Sequence, residues 1–158
     1  MGDDGEVARS VKGRPQMTIV TNSLTIAADC AVDAHMKVIM TGGLVRANSL
    51  EAVGPMSEHA FQVINVGTAV LGADGMSAEV GATTFDEAEA RTAIAMAANA
   101  QQVVVPVDGS KIGKVTLAKM VPLSQIDHLV TDSTADRGQL ELIAAAGVQV
   151  HVVEVGED

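Results

Sequence analysis

At 158 residues the chain is one domain of ordinary size, and its 47% apolar content is mostly Ala and Val, with two Phe and neither Trp nor Tyr. That composition excludes an aromatic stacking platform for single-stranded nucleic acid, and a formal charge of −10 (20 acidic, 10 basic residues) argues against unaided binding to a phosphate backbone. The one cysteine, Cys30, permits no intrachain disulfide, and no apolar run nears the roughly 20 residues that span a bilayer, so a cytoplasmic setting without a membrane partner is expected.

Met1 to Gln16 is polar and carries no complete periodic pattern; Glu6 to Lys12 reads as the end of a helix stopped by Gly13 and Pro15. Met17 to Val20 predicts a strand. Thr21-Asn22-Ser23 follows as loop and N-cap of a helix over Leu24 to Val32, with side-chain oxygens able to accept from its first amides. A helix N-terminus after a strand is also a natural anion site, although every α/β protein has several. Lys37 to Met40 is the next strand. It closes on Thr41-Gly42-Gly43, where paired glycines suit either a tight turn or close approach of a ligand oxygen. Leu44 to Val53 is ambiguous, with an irregular strand as one reading. Gly54-Pro55 then starts a helix to about Ile64, whose His59 has no ligand partner at i+4 and reads as a surface histidine.

Val66 to Leu71 predicts a buried strand, and Gly72-Ala73-Asp74-Gly75 turns sharply beyond its carboxyl end, leaving the Asp74 carboxylate at a sheet crevice. Met76 to Thr84, with Gly81, Thr83 and Thr84, leads into an Ala-rich helix over Phe85 to Ala100. Asp86, Glu87 and Glu89 fall in its first turns, where they complement the helix dipole. Val103 to Val107 is a second strand ending in such a corner, Asp108-Gly109-Ser110-Lys111. Lys114 to Val121 reads as extended, Pro122 to Gln125 as a turn and His128 to Thr131 as a strand. A helix over Ala135 to Ala146 with Gly147 at its C′ position precedes a buried last strand, Val148 to Val153, and an acidic tail over 154–158. The order predicts an α/β fold: a mostly parallel sheet with helices on both faces.

Six motifs fall in one order: Thr21-Asn22-Ser23, Thr41-Gly42-Gly43, Val53-Gly54-Pro55, Leu71-Gly72-Ala73-Asp74-Gly75, Asp108-Gly109-Ser110-Lys111 and Leu123-Ser124-Gln125-Ile126-Asp127. The set resembles the C-terminal effector domain of the DeoR family of bacterial transcription repressors, over nearly all of Glu6 to Val153. The resemblance implies a fold similar to ribose-5-phosphate isomerase and glucosamine-6-phosphate deaminase, and a phosphorylated sugar or related metabolite as effector. It implies a domain over 17–153, preceded in 1–16 by the remnant of a helix and linker. Family members carry an N-terminal winged helix-turn-helix, then a strand and a phosphate-binding loop of the Gly-Ser/Thr-Thr type, and neither pattern is found in this chain. DNA contact is therefore expected only through that missing domain, and the protein is expected to form a homo-oligomer.

For a phosphate, Thr21, Asn22, Ser23, the Gly42-Gly43 amides, Ser110 and Lys111 offer donors and a cation. For sugar hydroxyls, Asp74 and Asp108 offer carboxylates, beside Gly75, Thr83 and Glu87. Glu87 is the candidate base of the alternative reading, a sugar-phosphate isomerase or deaminase, which needs a positioned base near a carbon acid. A third reading is an oligomerisation module without a ligand. The sequence shows no nucleophile–base pair, no metal-ligand spacing and no Walker sequence, so a non-catalytic sensor without cofactor or metal leads.

Overall fold

In the computed structural model, residues 3–14 and 16–154 are described. Helix α1 (Asp3–Ser10) packs against α2 (Leu24–Ala31). The expected stop at Gly13 is present as a left-handed residue whose amide donates to Asp33 Oδ2 at 3.0 Å; Pro15 and the tail over 155–158 lie outside the described residues. Strand β1 (Thr18–Thr21) runs into α2 and returns as β2 (Lys37–Met40), parallel to β1 and in register from Thr18↔Lys37 to Thr21↔Met40.

Leu44 to Val53 resolves into an antiparallel hairpin, β3 (Leu44–Arg46) and β4 (Glu51–Val53), instead of one irregular strand. Each arm has three residues, too few to show a period of two. Gly43 makes the hairpin possible: its φ is 138°, and a Cβ there would lie 2.6 Å from the Val53 carbonyl oxygen. Helix α3 (Pro55–Gln62) begins with Pro55 in its first turn, as expected.

Strand β5 (Val66–Val70) ends before Asp74. The next segment is a second hairpin, β6 (Gly75–Ser77) with β7 (Gly81–Thr84), again of short arms that the sequence presents only as a connection. Helix α4 (Glu87–Ala98) starts two residues later than predicted. Asp86 is its N-cap, accepting from the amides of Ala88 and Glu89 at 2.9 and 3.0 Å, and Phe85 stays outside, 68% exposed. Strand β8 (Ala100–Pro106) starts three residues earlier than Val103. Beyond a short 3₁₀ turn over Gly109–Lys111, only Ala118–Lys119 of the predicted extended piece pairs, as β9 antiparallel to β7. Strand β10 (His128–Asp132), helix α5 (Arg137–Ala145, capped by Asp136) and strand β11 (Gln149–Val153) are the remaining described strands and helix. Strand β11 is not the buried strand expected, because it lies at the sheet edge with Gln149, His151, Val152 and Val153 exposed.

The main sheet is parallel throughout, in the order β11-β10-β8-β5. Ala69, Val103, Val105 and Leu129 on its strands belong to one core with Ala90, Ala93 and Ala97 of α4 and Ile143 of α5. Alanines on α4 let that helix approach closely, which is how a chain with two Phe and no Trp or Tyr fills its interior. The α/β fold with a mostly parallel sheet is as the sequence predicts.

Candidate functional site

A cleft of about 480 Å³ opens where the carboxyl ends of β1 and β5 meet α4. One wall is Asn22 and Ser23 with the first turn of α2; a second is the hairpin turn Asn48 to Glu51. Val70 to Asp74, leaving β5, forms a third, and Glu89, Thr92 and Met96 of α4 the fourth. Lys111 reaches in from the 3₁₀ turn. This is the crevice at strand ends where open α/β sheets take ligands.

Its acidic side is a chain of polar contacts. Asp74 Oδ2 accepts from the Thr84 hydroxyl at 2.8 Å and from the Phe85 amide at 3.3 Å. Thr84 Oγ1 also lies 2.8 Å from Glu89 Oε2. A hydroxyl has one proton, so it serves one of these carboxylates at a time and the other is left short of a donor. Glu89 is held from behind by Arg46 of β3, whose Nη1 pairs with Oε1, while Nη2 stands 3.4 Å from Asp86 Oδ2. Arg46 thereby ties the β3–β4 hairpin to the first turn of α4 and offsets the charge of Glu89 and Asp86.

The basic side rests on the turn after β8. Asp108 caps it, accepting from the Ser110 amide at 2.9 Å, and Lys111 Nζ lies 4.0 Å from Asp108 Oδ2. The ammonium group, with its side chain 30% exposed, keeps donors for a ligand. Gly109 seats the turn on the end of β10: its amide donates to Asp132 Oδ2 at 2.6 Å, and a Cβ would lie 2.4 Å from the Ala135 nitrogen. The Thr134 hydroxyl, then the Gly109 and Thr134 amides, hold the Asp132 carboxyl below its ordinary range.

Of the predicted site residues, Asn22, Ser23, Asp74 and Lys111 come together on the cleft. Asn22 Nδ2 is already given to the Ala52 carbonyl at 3.0 Å, and Ser23 Oγ accepts from the Ile26 amide at 3.3 Å, capping α2. The Leu24 amide is taken by the Leu50 carbonyl. The remaining predicted residues are outside the cleft lining. Thr21 is buried and accepts from the Ser23 amide; Gly42 and Gly43 lead into the hairpin. Gly75 and Thr83 are buried in the β6–β7 hairpin, where Thr83 Oγ1 donates to the Gly75 carbonyl. Asp108 and Ser110 are exposed in the turn that presents Lys111, and Glu87 is exposed on α4. Glu89 stands on the cleft in place of Glu87, because capping by Asp86 fixes which face of the first turn looks inward. Thr84 and Glu89 are visible in the sequence as a connection residue and a dipole-complementing acid but not as site candidates, and Arg46 is not marked at all; the signal within reach is Asp86, whose N-cap role sets the helical phase.

No helix among the described residues is long and apolar enough to cross a membrane. The family model for the DeoR C-terminal sensor domain matches residues 5–133. The HTH-type transcriptional regulator GlpR of Haloferax volcanii is 35% identical over 145 residues, 92% of this chain and 56% of that protein. A putative aga operon transcriptional repressor of Escherichia coli O157:H7 is 29% identical over 148 residues, 94% of this chain and 55% of its own length. The glycerol-3-phosphate regulon repressor of Escherichia coli K12 is 25% identical over 146 residues, 92% of this chain and 58% of its own length. The chain thus spans about half the length of the curated relatives it matches.

Proposed function

The chain belongs to the DeoR C-terminal sensor domain family, and on that premise we propose that it binds a small, polyhydroxylated, singly phosphorylated metabolite in this cleft and relays occupancy to a helix-turn-helix domain. One observation carries the reading: Lys111 and the Asp74–Thr84–Glu89 chain line the same cleft. An ammonium group suits one phosphate, and two carboxylates that share the single Thr84 proton keep acceptor capacity for hydroxyls. A relative named for a glycerol-3-phosphate regulon supports an effector of this size and charge.

The reading is of a sensor and not of an isomerase. Glu89, the carboxylate of α4 that lines the cleft, is paired with Arg46, which disfavours its use as a proton acceptor. Self-association is part of the proposal. Leu44 beside Gly43 and Met56 on α3 are 75% and 70% exposed, and apolar surface of this kind suits a homo-oligomeric contact.

A thermal-shift panel tests the proposal. Glycerol 3-phosphate and hexose phosphates are expected to raise the melting temperature more than inorganic phosphate or unphosphorylated sugars at equal concentration. No preference for any phosphorylated polyol would dismiss it, and turnover of one would favour the enzyme reading.

A further inference from the structure

His128 opens β10, and His151 stands at the centre of β11, the outer strand of the main sheet. The register pairs His128 with Gln149 and Val130 with His151, so both rings rise from one face as diagonal neighbours. Nδ1 of His128 and Nε2 of His151 are 3.1 Å apart, with ring centroids separated by 5.3 Å and planes inclined at 38°. His151 is exposed and His128 half-buried, and neither lines the cleft. Two facing imidazole nitrogens at this distance match the bite of a metal: bonds of about 2.0–2.1 Å at a tetrahedral angle set two ligand nitrogens about 3.3 Å apart.

We propose that His128 and His151 form a two-imidazole chelate for a borderline-soft divalent ion such as Zn(II), with water in the remaining positions. No group of three or more His, Cys, Asp or Glu side chains arranged for a metal occurs among the described residues, and two described side chains supply the ligands proposed here. In the metal-free pair one nitrogen donates its hydrogen to the other. On binding, that proton moves through water to the far nitrogen of its own ring, leaving both facing lone pairs for the ion with no net proton released from a neutral pair. Imidazole suits zinc, nickel and copper, and carboxylate-preferring ions such as magnesium are not expected to bind. Bridging β10 to β11 fastens the last strand of the chain.

The test is calorimetric titration of zinc chloride into the metal-free protein at pH 7.5, with magnesium chloride as the contrast. Zinc binding is expected in the unsubstituted protein, weaker by at least tenfold in His128→Ala and in His151→Ala, and unchanged in His59→Ala on α3. Lowering the pH to 5.5 should weaken it as well, because protons compete for the same nitrogens. Zinc should raise the melting temperature of the unsubstituted protein but not of His151→Gln, which retains a polar side chain at this exposed position. Circular dichroism confirms that each variant is folded. Absence of zinc binding at millimolar concentration, or equal affinity with either histidine removed, would overturn the proposal.

Discussion

The hydroxyl of Thr84 lies 2.8 Å from Oε2 of Glu89, and the same oxygen is 2.8 Å from Asp74. One proton between two carboxylates makes this the point where an incoming hydroxyl is most useful, because a ligand donor supplies the hydrogen bond that Thr84 cannot give twice. Thr84→Val keeps the shape and removes the donor. It is expected to cost about 1–3 kcal/mol of stability, since two partly buried carboxylates then face an apolar group. Urea unfolding measures this, and an unchanged midpoint would mean that the contact carries no weight.

Arg46 reaches α4 from the hairpin and meets Glu89 and Asp86. Its side chain is 25% exposed, so solvent screens part of the attraction and Arg46→Ala should cost about 1 kcal/mol. The loss should shrink as salt rises, because the ionic share is screened. Unfolding at low and high ionic strength separates that share from the packing of the arginine stem.

Asp132 anchors the turn that carries Lys111, and its folded-state pKa is depressed by the Thr134 hydroxyl and by the Gly109 and Thr134 amides. A depressed carboxyl contributes stability that is present above its ordinary value of 3.8 and is lost as pH falls through the lower folded value. Acid unfolding should therefore steepen below about pH 4. In Asp132→Asn this part of the acid sensitivity should vanish, with stability near neutral pH lowered. Urea midpoints between pH 2 and 7 read both effects, and parallel curves for the two proteins would contradict them.

Gly109 is needed for contact and not for a left-handed backbone. A Cβ there would stand 2.3 Å from the Thr134 hydroxyl and 2.4 Å from the Ala135 nitrogen, with backbone on one side that cannot swing away. Gly109→Ala is expected to cost about 1–3 kcal/mol by overpacking. It should also loosen Lys111, so effector affinity should fall in molecules that remain folded. Paired unfolding and binding measurements check this; full affinity would show that the turn does not position the lysine.

Much of this arrangement was legible in the sequence. Val66 to Leu71 and Val103 to Val107 are short, largely β-branched and apolar runs leading into Gly72 and Asp108-Gly109, and both form parallel strands; β5, expected to be buried, is an edge strand with Gly67 and Thr68 exposed. Asp74 and Lys111 were found because they follow those strands. The hairpins at Leu44–Val53 and Gly75–Thr84 escaped notice because their arms have three or four residues, and pairing between short arms is set by tertiary contacts such as Gly43 against Val53. Glu87 was chosen over Glu89 because composition gives helical content without phase. The cap at Asp86 supplies that phase, and one shift of two residues turns a different carboxylate inward.

The most direct test of the central claim is calorimetric titration of glycerol 3-phosphate and a hexose phosphate into the unsubstituted protein and into Lys111→Ala and Asp74→Asn. A charge-assisted contact contributes on the order of 1.5–3 kcal/mol, so Lys111→Ala should bind the phosphate ester roughly ten- to a hundredfold more weakly while remaining folded. Asp74→Asn should weaken the sugar ester more than inorganic phosphate, since its partner is a hydroxyl and not the phosphate. Equal dissociation constants for Lys111→Ala and the unsubstituted protein would contradict the account.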